Sequence, residues 1–139
     1  MTTVSYLHRF DYGYDENESR LPLLKFRLSN PTDPTLIVDL EAALDSGAER
    51  SLVDGRIGAA LGLDVLGGKK LTFETMGGGL LPAALHTVQL SHTKLGVFDL
   101  EIAFSSSEIR RNLLGRDFFD RVQVGFREHH LTFFVTPAP

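Results

Sequence analysis

Apolar residues alternate with other residues along four stretches of the chain, and this period-two pattern is typical of half-buried β-strands. The alternating stretches are residues 23–28, 97–104, 122–127 and 131–135. A fifth stretch, from Leu36 to Leu44, is apolar over most of its length and also predicts a strand. The pattern therefore predicts an all-β protein.

Helical signal is scarce. Residues Asp54–Leu63 predict one short helix with Asp54 as its N-cap, and Asp117–Arg121 predict one or two further turns. Residues 30–34 contain two prolines and predict a loop. The polar stretch 11–20 predicts a flexible arm within residues 1–20, and the proline-containing residues 136–139 are not expected to pair for long.

Composition narrows the class of protein. The chain has 139 residues, 42% of them hydrophobic and 23% charged, which predicts one globular domain spanning residues 1–139. A net charge of −4 with no run of Lys or Arg argues against a nucleic-acid partner or a membrane surface. There is no cysteine, and the five histidines lack ligand spacing, so neither a metal nor another cofactor is expected. The sequence shows no signal peptide and no apolar run of membrane-spanning length, which predicts a cytoplasmic protein.

The most informative motif is Asp45-Ser46-Gly47-Ala48, which directly follows the apolar strand. Taken alone, Asp-Ser-Gly indicates a surface turn in which the aspartate accepts a backbone hydrogen bond. Here the chain becomes apolar again at Ser51-Leu52-Val53, so the loop is expected to be half-buried. A crowded carboxylate of this kind is typical of functional sites. The context favours a functional Asp45 over a plain turn.

Two further motifs follow in the sequence. Leu113-Leu114-Gly115 precedes the second short helical stretch, and a glycine-rich segment containing Met76, Gly77, Gly78 and Gly79 lies between the two other motifs. In this order the three motifs resemble the retropepsin-like aspartic proteases, the single-domain relatives of retroviral proteases. The resemblance covers residues 36–121. It implies a closed, mostly antiparallel β-barrel that acts as a homodimer.

The resemblance also implies the chemistry. Aspartic proteases use two carboxylates that share one proton and activate a water molecule. This chain has one Asp-Ser-Gly, so the pair of carboxylates requires two chains, each contributing Asp45 across a two-fold axis. The partners implied are a second copy of the chain and an extended peptide or protein substrate.

Supporting roles follow from the same resemblance. Ser46 is expected to hydrogen-bond across the two-fold axis, Gly47 to allow the tight turn, and Ala48 to keep the loop close-packed. An ion pair between Glu49 and Arg116 is expected to buttress the loop, with Leu114 and Gly115 as structural support. A solvated surface charge is an equal alternative for Arg116. The segment Met76 to Gly79 is expected to form a flap over the substrate, although a plain hairpin turn is nearly as good an interpretation.

Two other functions remain open at this point. The first is a dimeric peptide-binding or assembly module with the same fold and little or no catalysis. The second is an unrelated small β-barrel that binds an apolar ligand, which predicts monomers and an Asp45 in an exposed turn. The C-terminal strand, residues 131–135, is expected to pair between subunits, as the termini of retroviral relatives do.

Overall fold

The computed structural model describes residue 3 and residues 5–137. Residues 1, 2 and 4 of the expected N-terminal arm and residues 138–139 lie outside this range. The described chain contains twelve strands, two short α-helices and two 3-10 turns. In order these are β1 (His8–Asp11), β2 (Gly13–Tyr14), β3 (Arg20–Leu21), β4 (Leu23–Asn30), β5 (Asp33–Leu44), β6 (Leu52–Val53), α1 (Gly55–Ala60), a 3-10 turn (Val65–Gly67), β7 (Lys69–Glu74), β8 (Leu80–His92), β9 (Gly96–Ser105), β10 (Leu113–Leu114), α2 (Arg116–Phe119), β11 (Val122–Arg127), a second 3-10 turn (Glu128–His130) and β12 (Thr132–Pro137).

Seven strands form the main sheet in the order β4-β5-β10-β6-β9-β8-β7, and a further pairing of β4 with β8 closes the sheet into a barrel. Only the β5–β10 and β6–β9 pairs are parallel among these strands. The predicted closed, mostly antiparallel all-β fold is therefore confirmed. Among the described residues, no helix has the length and apolar character needed to cross a membrane.

The main core fills the barrel and continues under a second sheet of β1, β12 and β11. The alternating residues Leu24, Phe26 and Leu28 of β4 belong to this core, as the period-two pattern predicts. Phe118 of α2 is fully buried, and its ring packs edge-on against that of Phe26, with centroids 5.7 Å apart. This helix therefore joins the second sheet to the barrel.

Several boundaries differ from those predicted. The turn after β4 is confined to residues 31–32, because Asp33 and Pro34 already belong to β5. The helix α1 ends at Ala60, short of Leu63, although Asp54 is its N-cap as expected. The second strand of the C-terminal hairpin continues to Pro137, so Thr136 and Pro137 still pair with β11, and the rest of the predicted unpaired tail, residues 138–139, lies outside the described residues.

Two expectations about the ends of the chain are corrected. The polar stretch 11–20 is ordered, because β2 and β3 pair as a small hairpin. The strand β12 lies between β1 and β11, and it pairs with both of them within the same chain. Both of its edges are therefore occupied, so the expected pairing of this strand between subunits is wrong.

Candidate active site

Asp45 is the first residue after β5, at the point where that strand leaves the barrel. Alternate residues of β5 point to opposite faces, and Leu40, Ala42 and Leu44 fill the core. Asp45 therefore belongs to the outward series, and its side chain is half-buried. Its N–H donates to the carbonyl oxygen of Leu114 over 2.9 Å, which fixes the backbone from which the carboxylate projects.

The loop after β5 is a tight turn organised by Asp45 itself. Oδ1 of Asp45 accepts a 2.8 Å hydrogen bond from the N–H of Gly47, and the carbonyl oxygen of Asp45 accepts one of 3.1 Å from Ala48. A Cβ atom at Gly47 would lie only 3.2 Å from Asp45 Oδ1, so a residue without a side chain suits this position. Ser46 and Gly47 are exposed and Ala48 is half-buried. The hydrogen bond within the turn uses only Oδ1 of the carboxylate and not Oδ2.

The strand β10 and the glycine after it hold this loop through backbone contacts. Leu114 pairs in parallel with Leu44, and the N–H of Arg116 donates to the carbonyl oxygen of Ala48 over 2.8 Å. A Cβ atom at Gly115 would lie 2.6 Å from that same oxygen. Only glycine fits here, and the structure brings these three predicted support residues against the loop.

Ser51 and Asp117 form a hydrogen-bond network that connects the loop to α2. Ser51 is fully buried; its N–H donates to both carboxylate oxygens of Asp117, over 2.9 and 3.0 Å, and its Oγ donates to Oδ1 over 2.7 Å. The same Oγ accepts a hydrogen bond from the N–H of Gly115 over 3.0 Å. Neither residue was predicted as a site residue. The signal was present, because Ser51 closely follows the Asp45-Ser46-Gly47-Ala48 motif and Asp117 closely follows Leu113-Leu114-Gly115.

Asn112 is a third residue of the site that was not predicted from the sequence. Its carbonyl oxygen accepts from the N–H of Ala43, and its Oδ1 accepts from the N–H of Asp54, both over 2.9 Å. Its Nδ2 donates to the carbonyl oxygen of Glu41 over 3.2 Å. One side chain thus joins β5 to the start of α1. A lone asparagine before a short strand carries no sequence signal for such a role.

The expected ion pair between Glu49 and Arg116 is not formed within the described chain. Both side chains line the same surface depression beside α2. The next residue of the loop, Arg50, instead forms an ion pair with Glu101, with 3.8 Å between Nη1 and Oε1. Arg116 supports the loop through its backbone N–H rather than its charge.

The glycine-rich segment is the tip of a hairpin formed by β7 and β8. Thr75 donates its N–H to the carbonyl oxygen of Gly79 over 2.9 Å, and Gly78 has a positive φ of 81° that closes the turn. Met76 at the tip is fully exposed, and a Cβ atom at Gly77 would meet nothing within 4 Å. Pro82 lies within β8, where it pairs with Thr72 and does not interrupt the hairpin. The tip therefore projects away from the barrel.

Two further aspartates near this loop, Asp54 and Asp117, are held by contacts of their own. Asp54 caps α1 through the N–H of Arg56, and the guanidinium of Arg56 holds the pKa of Asp54 below its usual value. Asp117 is committed to Ser51. Neither of them is therefore free to act as a second carboxylate beside Asp45.

Comparison with known proteins identifies the fold. No protein-family model and no curated protein matches the sequence. Among solved structures, a retropepsin-like aspartic protease from Rickettsia conorii superposes with a TM-score of 0.63 at 17% identity, covering 99% of this chain and 98% of that one. The EIAV protease complexed with the inhibitor HBY-793 superposes with a TM-score of 0.54 at 18% identity, covering 76% and 91%. The chain has a retropepsin-like fold.

Proposed function

We propose that this chain is an aspartic endopeptidase whose active site forms on the two-fold axis of a homodimer, with one Asp45 from each subunit. The observation that carries the proposal is the position of Asp45 in this fold. Asp45 lies at the end of β5, and its backbone N–H donates to the carbonyl oxygen of Leu114. The chain that holds it there has a retropepsin-like fold. The alternative of an unrelated small barrel is not compatible with that fold.

The chemistry follows from pairing two carboxylates. Two like charges a few ångströms apart do not both ionise easily, so the pair holds a single proton. The ionised Asp45 takes a proton from a bound water molecule, and the water oxygen attacks the peptide carbonyl carbon. The protonated Asp45 of the other subunit donates to the carbonyl oxygen. Proton transfer to the amine then allows the C–N bond to break.

The substrate is an extended peptide that lies under the β7–β8 hairpin. A hairpin tip with three consecutive glycines lets its backbone approach a peptide closely, and an extended peptide binds by strand-like hydrogen bonding. Exposed apolar side chains at Met76 and Leu80 would cover the substrate.

The dimer needs an interface other than the edges of β12. Within the described chain β12 is the central strand of its sheet, and β1 and β11 are the outer strands. Dimerisation through this sheet would therefore use β1 or β11. The requirement for a second copy comes from the single Asp-Ser-Gly and not from any unpaired strand.

A catalytically silent peptide-binding dimer is the second candidate. It is favoured by the hydrogen bond from the Gly47 N–H to Asp45 Oδ1, because this contact alone gives Asp45 a structural use in the turn. Such a module would bind an extended peptide between the same hairpins without cleaving it.

Digestion of a mixed peptide library, followed by mass spectrometry from acid to neutral pH, separates the two candidates. Wild type is compared with Asp45→Asn, which retains an oxygen for the Gly47 N–H. Asp39→Asn is the control, because Asp39 faces outward on the same strand with its side chain 87% exposed. Cleavage by wild type and Asp39→Asn only would support the peptidase. Peptide binding without Asp45-dependent cleavage, from a protein of dimeric mass, would support the silent module.

A further inference from the structure

The hairpin of β2 and β3 lies beside the candidate active site, next to the end of β5. Ala43 of β5 pairs with Leu23 of β4 on one side and with Leu113 of β10 on the other. The hairpin leads directly into β4, and residues 106–112 lead directly into β10. A contact between the hairpin and residues 106–112 therefore crosses over β5 and connects the segments that lead into its two neighbours, β4 and β10.

Asp15 and Arg111 make this contact. Oδ2 of Asp15 lies 3.2 Å from Nη2 of Arg111, and the two side chains are only 9% and 26% exposed. The other oxygen, Oδ1, accepts the N–H groups of Asn17 and Ser19 at the hairpin tip, both over 2.9 Å. One carboxylate thus shapes the hairpin and fastens it to the segment before β10.

The charged state of Asp15 is favoured where it lies. Burial acts to raise the pKa of this carboxyl, but the N–H groups of Ser19 and Asn17 and the charges of Arg111 and Arg110 outweigh it, so the pKa is below its usual value. The contact is therefore an ion pair at neutral pH. Burial also protects it from screening by salt, unlike the surface pairs of this protein.

Stability alone does not account for this ion pair. Asp15 Oδ2 and Arg111 Nε are both buried without a hydrogen-bond partner. Buried polar atoms that lack partners cost free energy, and buried ion pairs often add little net stability. The placement of the pair is more informative than its energy, because the outward side chain of Ala43 is buried beside Asp15 and Arg111 in the same surface cavity.

A short chain of covalent and hydrogen bonds leads from this pair to Asp45. Arg111 precedes Asn112, whose carbonyl oxygen accepts the N–H of Ala43 over 2.9 Å. Two residues further along, the carbonyl oxygen of Leu114 accepts the N–H of Asp45 over 2.9 Å. Holding Arg111 in place therefore holds two of the backbone oxygens that fix the end of β5, those that accept the N–H groups of Ala43 and Asp45.

We infer that Asp15 and Arg111 are positioning residues for Asp45. Their ion pair presses residues 112–114 against the end of β5 and so sets the direction of the Asp45 carboxylate. The part of this inference that concerns catalysis rests on the proposed function. The part that concerns the backbone at Ala43 and Asp45 does not, and the experiment tests the two separately.

The test uses the full chain and the variant Asp15→Asn. Asparagine retains an oxygen for the N–H groups of the hairpin tip and replaces the charged oxygen that faces Arg111 with a neutral NH2 group. The matched control is Asp11→Asn, the same change in an exposed ion pair. The side chain of Asp11 is 77% exposed there, and that of its partner Arg9 is 67% exposed. Amide hydrogen exchange is followed by NMR at Ala43 and Asp45, with Leu90 as a reference because it pairs on both sides in the barrel.

The expected result is exchange about tenfold faster at Ala43 and Asp45 in Asp15→Asn, the order expected for losing one charge-assisted contact. In Asp15→Asn the amide of Leu90 should exchange as in wild type. In Asp11→Asn the amides of Ala43, Asp45 and Leu90 should all exchange as in wild type. Unchanged exchange at Ala43 and Asp45 would overturn the inference. Equal acceleration at Leu90 would overturn it as well, because the pair would then act on the stability of the whole barrel.

The catalytic part is read from peptide cleavage by the same variants. Asp15→Asn and Arg111→Met should lower kcat with little change in KM, and Arg111→Lys should recover part of kcat by restoring the charge. A rise in KM at constant kcat would mean that the pair contacts substrate instead of positioning Asp45. If wild type cleaves nothing, the proposed function fails while hydrogen exchange still decides whether the pair fixes the backbone.

Discussion

Ser51 and Asp117 lie 66 residues apart in the sequence and share three hydrogen bonds, all from the serine to the carboxylate. The serine hydroxyl also receives the N–H of Gly115. The loop that carries Asp45 is therefore tied to α2 by a buried polar network, in addition to its pairing with β10.

Removing the carboxylate of this network should destabilise the protein. In Asp117→Ala the buried N–H and hydroxyl of Ser51 lose their acceptor, and we expect the free energy of unfolding to fall by about 1–3 kcal/mol. Asp120→Ala is the control, because Asp120 is an exposed acid at the end of the same helix. Urea unfolding of both variants measures the difference. Equal losses would show that the helix, and not the Ser51 network, is responsible.

Adding one methyl group at Gly115 should be costly. Its Cβ atom would lie 2.6 Å from the carbonyl oxygen of Ala48 and 2.8 Å from the carbonyl carbon of Arg50, both of them backbone atoms of the loop. We expect Gly115→Ala to lower the free energy of unfolding by about 1–3 kcal/mol. Gly77→Ala at the hairpin tip, where a Cβ atom meets nothing within 4 Å, should change it by less than about 0.5 kcal/mol. A harmless Gly115→Ala would contradict the close approach of loop and helix.

Mixing subunits tests whether one active site is shared by two chains. When equal amounts of wild type and Asp45→Asn pair at random, about one quarter of the dimers have Asp45 in both subunits. Peptidase activity per mole of wild-type chain should then fall to about half of its unmixed value, since only these dimers are active. Mixing with Asp39→Asn should cause no loss. Activity that ignores the added Asp45→Asn chains would place a complete active site within one subunit.

Stability should fall as the solution becomes mildly acidic, in part because of His92. Burial lowers the pKa of His92 from its ordinary 6.5, helped by the charges of Lys94 and His8. The unfolded chain therefore binds a proton at His92 before the folded chain does, so this contribution to stability is lost as pH falls from above 6.5 towards the folded pKa. Protonation would also disrupt the hydrogen bonds that Nδ1 accepts from the N–H groups of Lys94 and Leu95.

The measurement is urea unfolding between about pH 5 and 8. His92→Gln should have a shallower loss of stability towards acid than wild type. His129→Gln, which changes an exposed histidine, should follow the wild-type profile. Parallel profiles for wild type and His92→Gln would contradict the prediction.

Much of the barrel could be predicted from the sequence because its strands bury one face. The alternation of buried and less buried residues along β4 follows directly from this arrangement. The longest strand, β8, was less evident, because Ala83, Ala84 and Leu85 are all buried and break the alternation. Two cores meet there, since Ala83 and Leu85 belong to a smaller cluster with Leu52.

The parts of the candidate site that escaped prediction depend on contacts between distant residues. The order of the polar stretch 11–20 depends on Asp15 meeting Arg111. The fixed position of the loop depends on Ser51 meeting Asp117 and on Asn112 reaching β5. Local composition indicates a mobile arm in the first case and isolated polar residues in the others. Such contacts are set by the topology of the barrel, which the local pattern does not specify.

The central position of β12 bears on how the chain folds as it is synthesised. Among the described residues β1 pairs only with β12, and the ring of Phe10 stacks on that of Phe133 with centroids 5.3 Å apart. Of the described strands, β1 is thus made first and pairs with the one made last, so its apolar side chains stay without these partners until β12 has been synthesised. The β1-β12-β11 sheet therefore cannot close before β12 has been made, and until then the apolar side chains of β1 are open to aggregation and to chaperones.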